Sequence, residues 1–464
     1  MKDVKNLKIA YIGGGSRGWA RTLMNDLACD GDLAGKVYLY DIDFDAAKGN
    51  EKIGNTLSQR DDVKGKWEYI AVKDIKEALI DSDFVMLSVL PGTFDEMESD
   101  VHLPEEYGIY QSVGDTVGPG GIVRALRTIP IYEGFAKAIK EYCPDAWVIN
   151  FTNPMTMCVR TLYKVFPEIK AFGCCHEVFA TERMFAKFYK EKYGVQLNRD
   201  DVKLNVLGVN HFTWVDKAYY KTEDLFPLLD DFIARNPKGT KSPDPNWANK
   251  AFKCTNQVKF DLYKKFGVLA AAGDRHLAEF CPGDWYLKNP ETVESFGFNL
   301  TTVQWRKEDL AFRIKNTEEY INGKEFELVI SGEESVKQIK AILGFNDFVT
   351  NVNIPNIGQM PELPIGAVVE TNAYFSSSSV RPVFAGSLPE GAHNLVSKIV
   401  NEQETVVDCA LKGDYEGVFA EFKNDHNVNL PEDKARELFN RMLENTKKYL
   451  PKEYFDNYML TQKN

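Results

Sequence analysis

Residues 7 to 27 read LKIAYIGGGSRGWARTLMNDL: a buried strand, a tight glycine turn and the opening of a helix. Gly13, Gly15 and Gly18 fit G-x-G-x-x-G. The first glycine permits the turn, the second lets the backbone approach a pyrophosphate, and the third lets helix and strand pack closely. The helix N-terminus, with Ser16 in the loop before it, offers free N–H groups and the positive end of a dipole to phosphates. The next strand, VYLYD, ends in Asp41, where an acidic residue holds the ribose hydroxyls and disfavours the 2′-phosphate of NADP. The pattern predicts NAD as cofactor.

Working outward, short apolar runs alternate with amphipathic stretches through the first half of the chain. Strands are predicted over Lys8–Ile12, Val37–Tyr40, Trp67–Val72, Asp83–Leu90, Ala146–Phe151 and Ile169–Gly173. Helices are predicted over Trp19–Cys29, Phe44–Ser58 and Ile131–Tyr142. Such alternation argues for an α/β fold, a Rossmann-type doubly wound parallel sheet of the lactate/malate dehydrogenase kind. From about residue 200 the pattern changes to aromatic-rich segments, a loop over Arg235–Asn246, a strand candidate at Ala367–Tyr374 and a long helical pattern at Pro431–Tyr449. We therefore expect an NAD-binding domain over 1–200 and an α+β substrate and oligomerisation domain over 201–464.

The 464 residues carry a formal charge of −12, with 44% hydrophobic and 27% charged positions. No basic stripe gathers, which argues against a nucleic-acid partner. No stretch reaches the roughly 18 apolar residues of a membrane span, and the N-terminus lacks signal-peptide features. The eight cysteines form no CxxC pair and no disulfide spacing, as in a cytoplasmic protein with reduced thiols.

A nicotinamide cofactor first suggests a 2-hydroxy-acid or sugar dehydrogenase, but no His–Asp relay stands in the usual region. A non-catalytic nucleotide-binding regulator is a further alternative. Four other segments stand out instead: GDTVGPGG at 114–121, with Arg124 and Arg127 on the helix that follows; NFTNP at 150–154; CCHEV at 174–178; and GVNHFTW at 208–214. Ligands of doubly wound folds bind outside the carboxyl ends of the strands, where these loops should lie.

Taken in series with the glycine loop, these segments resemble glycoside hydrolase family 4 over roughly residues 8 to 290. The resemblance implies a hydrolase that uses NAD and a divalent metal, usually manganese, outside the two-carboxylate scheme of most glycosidases. The implied route oxidises C3 of the sugar, removes the C2 proton, eliminates the C1 oxygen, adds water and returns the hydride, with no net redox change. Cys175 and His211 match the family's metal-ligand positions, and Asn153 matches a position that contacts sugar and nicotinamide. Asp115 lies where members carry an acid that tunes the base or contacts the cofactor. Members differ in the C2 base. Asp274 in GDRH matches the aspartate form and Tyr263 the tyrosine form, and we favour Asp274.

Phospho-glycosidase members show Cys-Asn or Cys-Asp after the metal cysteine, whereas CHEV resembles the α-galacturonidase members. The alternatives within the family are α-galactosidase and α-glucuronidase. A uronate carboxylate calls for a cation, best an arginine. Arg275, Arg124 and Arg127 lie in suitable loops, and His176 stands beside them as a substrate contact. Glu177 would repel a uronate unless it points away or pairs with an arginine. The resemblance also implies a homodimer or homotetramer.

Overall fold

The computed structural model describes residues 3–241, 251–325 and 327–462. Among them, nine strands form one sheet in the order β13-β12-β11-β6-β5-β4-β1-β2-β3. The parallel part comprises β1 (Leu7–Ile12), β2 (Gly35–Tyr40), β3 (Trp67–Val72), β4 (Phe84–Leu87), β5 (Trp147–Asn150) and β6 (Lys170–Gly173). Its spatial order, 3-2-1-4-5-6, is that of dinucleotide-binding folds and bears out the α/β expectation. Both faces of β1 are covered. Leu7, Ile9 and Tyr11 pack into one core with Leu23 and Leu27 of the helix Trp19–Cys29. Ala10 and Ile12 face a second core holding Tyr132 and Leu162. Burial on both faces explains why β1 reads as a continuous apolar run rather than an alternating one.

The helices Trp19–Cys29 and Phe44–Ser58 form as read. The pattern at Ile131–Tyr142 is the C-terminal half of one longer helix, Gly118–Tyr142, which runs through Pro130. The stretch Pro431–Tyr449 forms a helix over Glu432–Thr446 and then a 3₁₀ turn over Lys447–Tyr449. Of the loop expected over Arg235–Asn246, Arg235 ends the helix Phe226–Arg235, and residues 242–246 lie outside the described residues.

The second half does not keep to itself. After residue 200 the chain makes a smaller sheet: β7 (Val202–Val209), β8 (Phe212–Tyr220), β9 (Glu223–Asp224) and β10 (Leu269–Ala270). It then returns as β11 (Phe348–Pro355), β12 (Val368–Ser376) and β13 (Ser379–Pro382), which pair antiparallel beyond β6. The strand expected at Ala367–Tyr374 is β12, and it extends the nucleotide sheet instead of belonging to a separate one. Asn372 and Asn210 then stitch the two sheets, the first donating to the Leu204 carbonyl at 2.7 Å and the second to Glu370 at 3.0 Å. The C-terminal helices cover the helix Gly118–Tyr142 through a third core that includes Leu126, Val407, Phe422 and Phe439. Among the described residues, no helix is long and apolar enough to cross a membrane.

Candidate active site

The glycine loop is tight at every position that matters. Gly13 has φ +97°, and a Cβ there would stand 1.9 Å from the Ser88 carbonyl oxygen. A Cβ on Gly15 would meet Ala46 at 2.8 Å and Asp41 at 2.9 Å. Asp41 accepts from the Gly15 amide at 2.8 Å, so the predicted ribose acid lies directly against the loop. The Ser16 hydroxyl accepts from Trp19 N at 3.1 Å at the mouth of the helix. Gly18 stands as N-cap and supplies no side chain. The backbone is thus cleared for a phosphate-bearing ligand.

The carboxyl edge of the sheet gathers the other segments. The tip of the β7–β8 hairpin is Asn210-His211, and it carries His211 to the loop Gln111–Gly118. There the Thr116 hydroxyl lies 3.3 Å from His211 Nδ1 and donates to Asp115 at 2.8 Å. The Asn153 amide donates to the other Asp115 oxygen at 3.3 Å, and Arg124 Nε donates to the Asn153 carbonyl at 3.2 Å. His276, on the short helix Asp274–Glu279, stacks on His211 with ring centroids 4.1 Å apart. One ligand atom from each of Asp115, His211 and His276 lies within 4.8 Å of the others. The loop is held from below by Glu279, which accepts from the Val113 and Gly114 amides at 2.6 and 2.8 Å.

Electrostatics follow from this crowding. Burial works against the Asp115 charge, but His211, His276 and Arg124 outweigh it and hold the carboxyl well below the usual range. Burial first, and then His276, pushes the His211 imidazole down to about 3. Glu177 is opposed by burial, yet His276, His211 and the Gly273 amide bring it to about 2. It accepts from Gly273 N at 3.0 Å and lies 3.8 Å from His276. Among the described residues the acid that would repel a uronate thus contacts the Gly273 amide and His276 and forms no ion pair with an arginine.

Other predicted residues are placed differently. Cys175, partly buried, is not part of the Asp115–His211–His276 set. Its thiol is pushed well above its ordinary value by burial and then by Glu370, and it bonds the Asn210 side chain, one residue before His211. His176 turns outward to Glu333 at 3.2 Å and stacks against Trp19 at 5.9 Å. Cys174 donates to Gln338, and all eight cysteines are free.

The two candidate bases separate clearly. The Tyr263 hydroxyl donates to Asp230 at 2.9 Å, and burial followed by that carboxylate raises its pKa, the wrong direction for a base. Asp274 is fully buried, and its Oδ1 accepts from Lys259 N at 3.1 Å. With a further bond from the Gln257 amide it caps the helix Gln257–Phe266, whose own N-cap, Asn256, makes no side-chain bond. Its Oδ2 is buried without a partner, and burial pushes the carboxyl up to about 6. Arg275 faces the cluster, with Nη2 donating to the Ser112 carbonyl at 2.9 Å.

Three residues gained importance only here. His276 was visible in GDRH but had no role in the sequence reading. Glu177, in the CHEV segment, reads from the sequence as an obstacle to a uronate. Arg306, on the helix Val303–Ile321, carried no signal at all. Its charge is felt by Arg275, Arg124 and His276.

The donor set can accept a divalent cation. Two imidazoles and a carboxylate suit manganese or its neighbours and leave positions open. His276 Nδ1, Asn153 Oδ1 and Asn210 Oδ1 are buried beside it without a protein partner. The cradle at Gly13–Gly15 suits a dinucleotide.

Comparison with known proteins agrees. Residues 8–191 match Family 4 glycosyl hydrolase, and residues 206–428 match the Family 4 glycosyl hydrolase C-terminal domain. The chain is 57% identical to an alpha-galacturonidase of Thermoanaerobacterium saccharolyticum, over 96% of this chain and 97% of that one. The crystal structure of lplD from Bacillus subtilis superposes with a TM-score of 0.90 at 48% identity, covering 95% of this chain and 100% of that one. A gut-microbial 6-phospho-alpha-glucosidase in complex with NAD and Mn2+ shares the fold, with a TM-score of 0.80 at 21% identity over 96% and 99% of the two chains. The chain belongs to glycosyl hydrolase family 4.

Proposed function

We propose that this protein is an α-galacturonidase that depends on NAD and a divalent metal. The observation that carries the reading is the convergence of Asp115, His211 and His276 on one point at the carboxyl edge of a dinucleotide-type sheet. The substrate choice is supported by the CHEV sequence and by the 57% identity to an alpha-galacturonidase. In this reading Gly13, Gly15, Ser16, Gly18 and Asp41 hold NAD. Asp115, His211 and His276 would hold the metal. The chemistry the bound groups bring is reversible hydride transfer at C3 and Lewis-acid polarisation of the neighbouring sugar oxygens.

The chain's own residues do the rest. Asn153, tied to Asp115 and Arg124, orients the sugar between cofactor and metal site. Asp274 receives the C2 proton on Oδ2 while Oδ1 stays anchored to helix amides. A carboxyl raised to about 6 suits proton transfer near neutrality better than an ordinary one.

A reducing, cytoplasmic setting belongs to the same reading, supported by the eight unpaired cysteines. So does assembly as a homodimer or homotetramer, supported by exposed Ile357, Ile365 and Phe384, and tested by light scattering of the purified protein.

The deciding experiment is a panel of p-nitrophenyl α-galacturonide, α-galactoside and α-glucuronide, each with and without NAD, Mn2+ and reductant. We expect the galacturonide to be cleaved best, only with all three additions, and without NADH accumulating. Cleavage undiminished by removing NAD and metal would sink the mechanism, and preference for a neutral sugar would sink the substrate assignment. Stoichiometric NADH would favour a dehydrogenase.

A further inference from the structure

Arg127 is paired with Asp100 in a buried bidentate contact. Glu279 is pushed up to about 8 by burial and so carries little charge at neutral pH. Arg124 is occupied with the Asn153 carbonyl. Two further guanidiniums, Arg275 and Arg306, feel the Asp115 charge, yet the Nε of each is buried without a partner. Among the described residues neither makes a carboxylate ion pair. Holding two such cations near each other is costly unless an anion fills the space between them.

Their approach is built into the fold. The Ser112 carbonyl accepts from Arg275 Nη2 at 2.9 Å, from Thr301 N at 3.2 Å and from the Thr301 hydroxyl at 2.8 Å. One atom thus anchors Arg275 and the start of the helix Val303–Ile321 together. Arg275 lies over the Phe252 ring at 4.7 Å, and Phe252 meets Trp305 edge-on at 4.8 Å. Arg306 is the next residue. It stands near the positive end of its helix, where an arginine is favoured only if an anion lies close. Arg17, Arg21 and Arg313 line a separate cavity of 430 Å³ beside Gly18.

We propose that Arg306, reaching in from the helix Val303–Ile321, forms with Arg275 the clamp that recognises the C5 carboxylate of a hexuronate substrate. The inference rests on the α-galacturonidase reading and gives its specificity a structural basis. Two planar guanidiniums match a planar carboxylate through paired N–H donors, which a hydroxymethyl group at C5 does not satisfy.

The test measures binding of D-galacturonate, D-galactose and D-galactose 6-phosphate by calorimetry to the NAD- and Mn2+-loaded protein, in wild type, Arg306→Gln and Arg306→Lys. We expect the ratio of galacturonate to galactose affinity to fall about 100-fold in Arg306→Gln, as for loss of a buried charge-assisted pair. Arg306→Lys should lose less, and the affinity for NAD should stay unchanged in both. An unchanged ratio overturns the clamp. So does a loss of NAD affinity with the ratio intact, or tighter binding of the 6-phosphate than of galacturonate by wild type. Wild type that binds galacturonate selectively but does not cleave the galacturonide leaves the clamp standing and overturns the function. Wild type that binds galacturonate no better than galactose overturns the clamp.

Discussion

Replacing Asp274 by asparagine separates two roles that the structure gives one side chain. Oδ1 receives the Lys259 amide at the head of a helix, whereas Oδ2 is buried without a hydrogen-bond partner, with the Cys254 thiol close to the carboxyl. A side-chain helix cap contributes about 1 kcal/mol, and asparagine keeps an oxygen that can accept. Asp274→Asn should therefore cost under about 1 kcal/mol of folding stability, and Asp274→Ala about 2 kcal/mol. A general base contributes roughly 10²- to 10⁴-fold to a rate, about 3 to 5 kcal/mol of barrier. Both variants should lose at least about 100-fold in kcat on p-nitrophenyl α-galacturonide while still binding NAD. The assay pairs kcat and urea unfolding with exchange of the sugar C2 proton for solvent deuterium, which should vanish with the base. Tyr263→Phe serves as control, since its hydroxyl is bonded to Asp230. If Asp274→Asn keeps kcat within tenfold of wild type, or if C2 exchange persists, Asp274 is only a helix cap and the base lies elsewhere.

Three further outcomes follow from other parts of the molecule. Gly15→Ala would push a methyl group against Asp41 and Ala46, and the displaced loop should weaken NAD binding at least about tenfold by calorimetry; an unchanged Kd would refute the close-approach argument. Asp100→Ala leaves the buried Arg127 guanidinium without its partner and should cost about 3 to 5 kcal/mol in urea unfolding; a loss under about 1 kcal/mol would mean water reaches the pair. Glu402 is buried against Asp425, and burial, then that neighbour, raises its pKa well above the ordinary value. Above pH ~4.5 the unfolded chain releases this proton while the folded chain keeps it, so the contribution is full below the unfolded pKa and fades as pH rises. Glu402→Gln should flatten the fall in unfolding free energy between pH 5.5 and 7 by about 1.4 kcal/mol per pH unit, and identical slopes would refute the assignment.

Much of the nucleotide half was legible because its signals are local. Trp67–Val72, Trp19–Cys29 and Phe44–Ser58 coincide with their predicted bounds, since the side-chain periods that mark strand and helix are set by residues a few positions apart. Helix length was less legible: the helix carrying Arg124 and Arg127 and the pattern at Ile131–Tyr142 are one helix, which starts inside the glycine-rich loop at Gly118 and runs through Pro130. The glycine loop and Asp41 lie 26 residues apart and meet because β1 and β2 are neighbours, a pairing the βαβ pattern already implies.

The amino-acid sequence by itself determined the parallel sheet, the dinucleotide loop and the family, each resting on contiguous segments. Only the tertiary structure decided that β11–β13 complete the first sheet. Only it decided that His276 joins Asp115 and His211, and that Arg306, from a helix some 30 residues further on, comes within electrostatic reach of Arg275. It also showed which oxygen of Asp274 is tied down. These are contacts between distant segments, fixed by how apolar faces pack and by the direction each side chain then takes, and no local period in the chain records them.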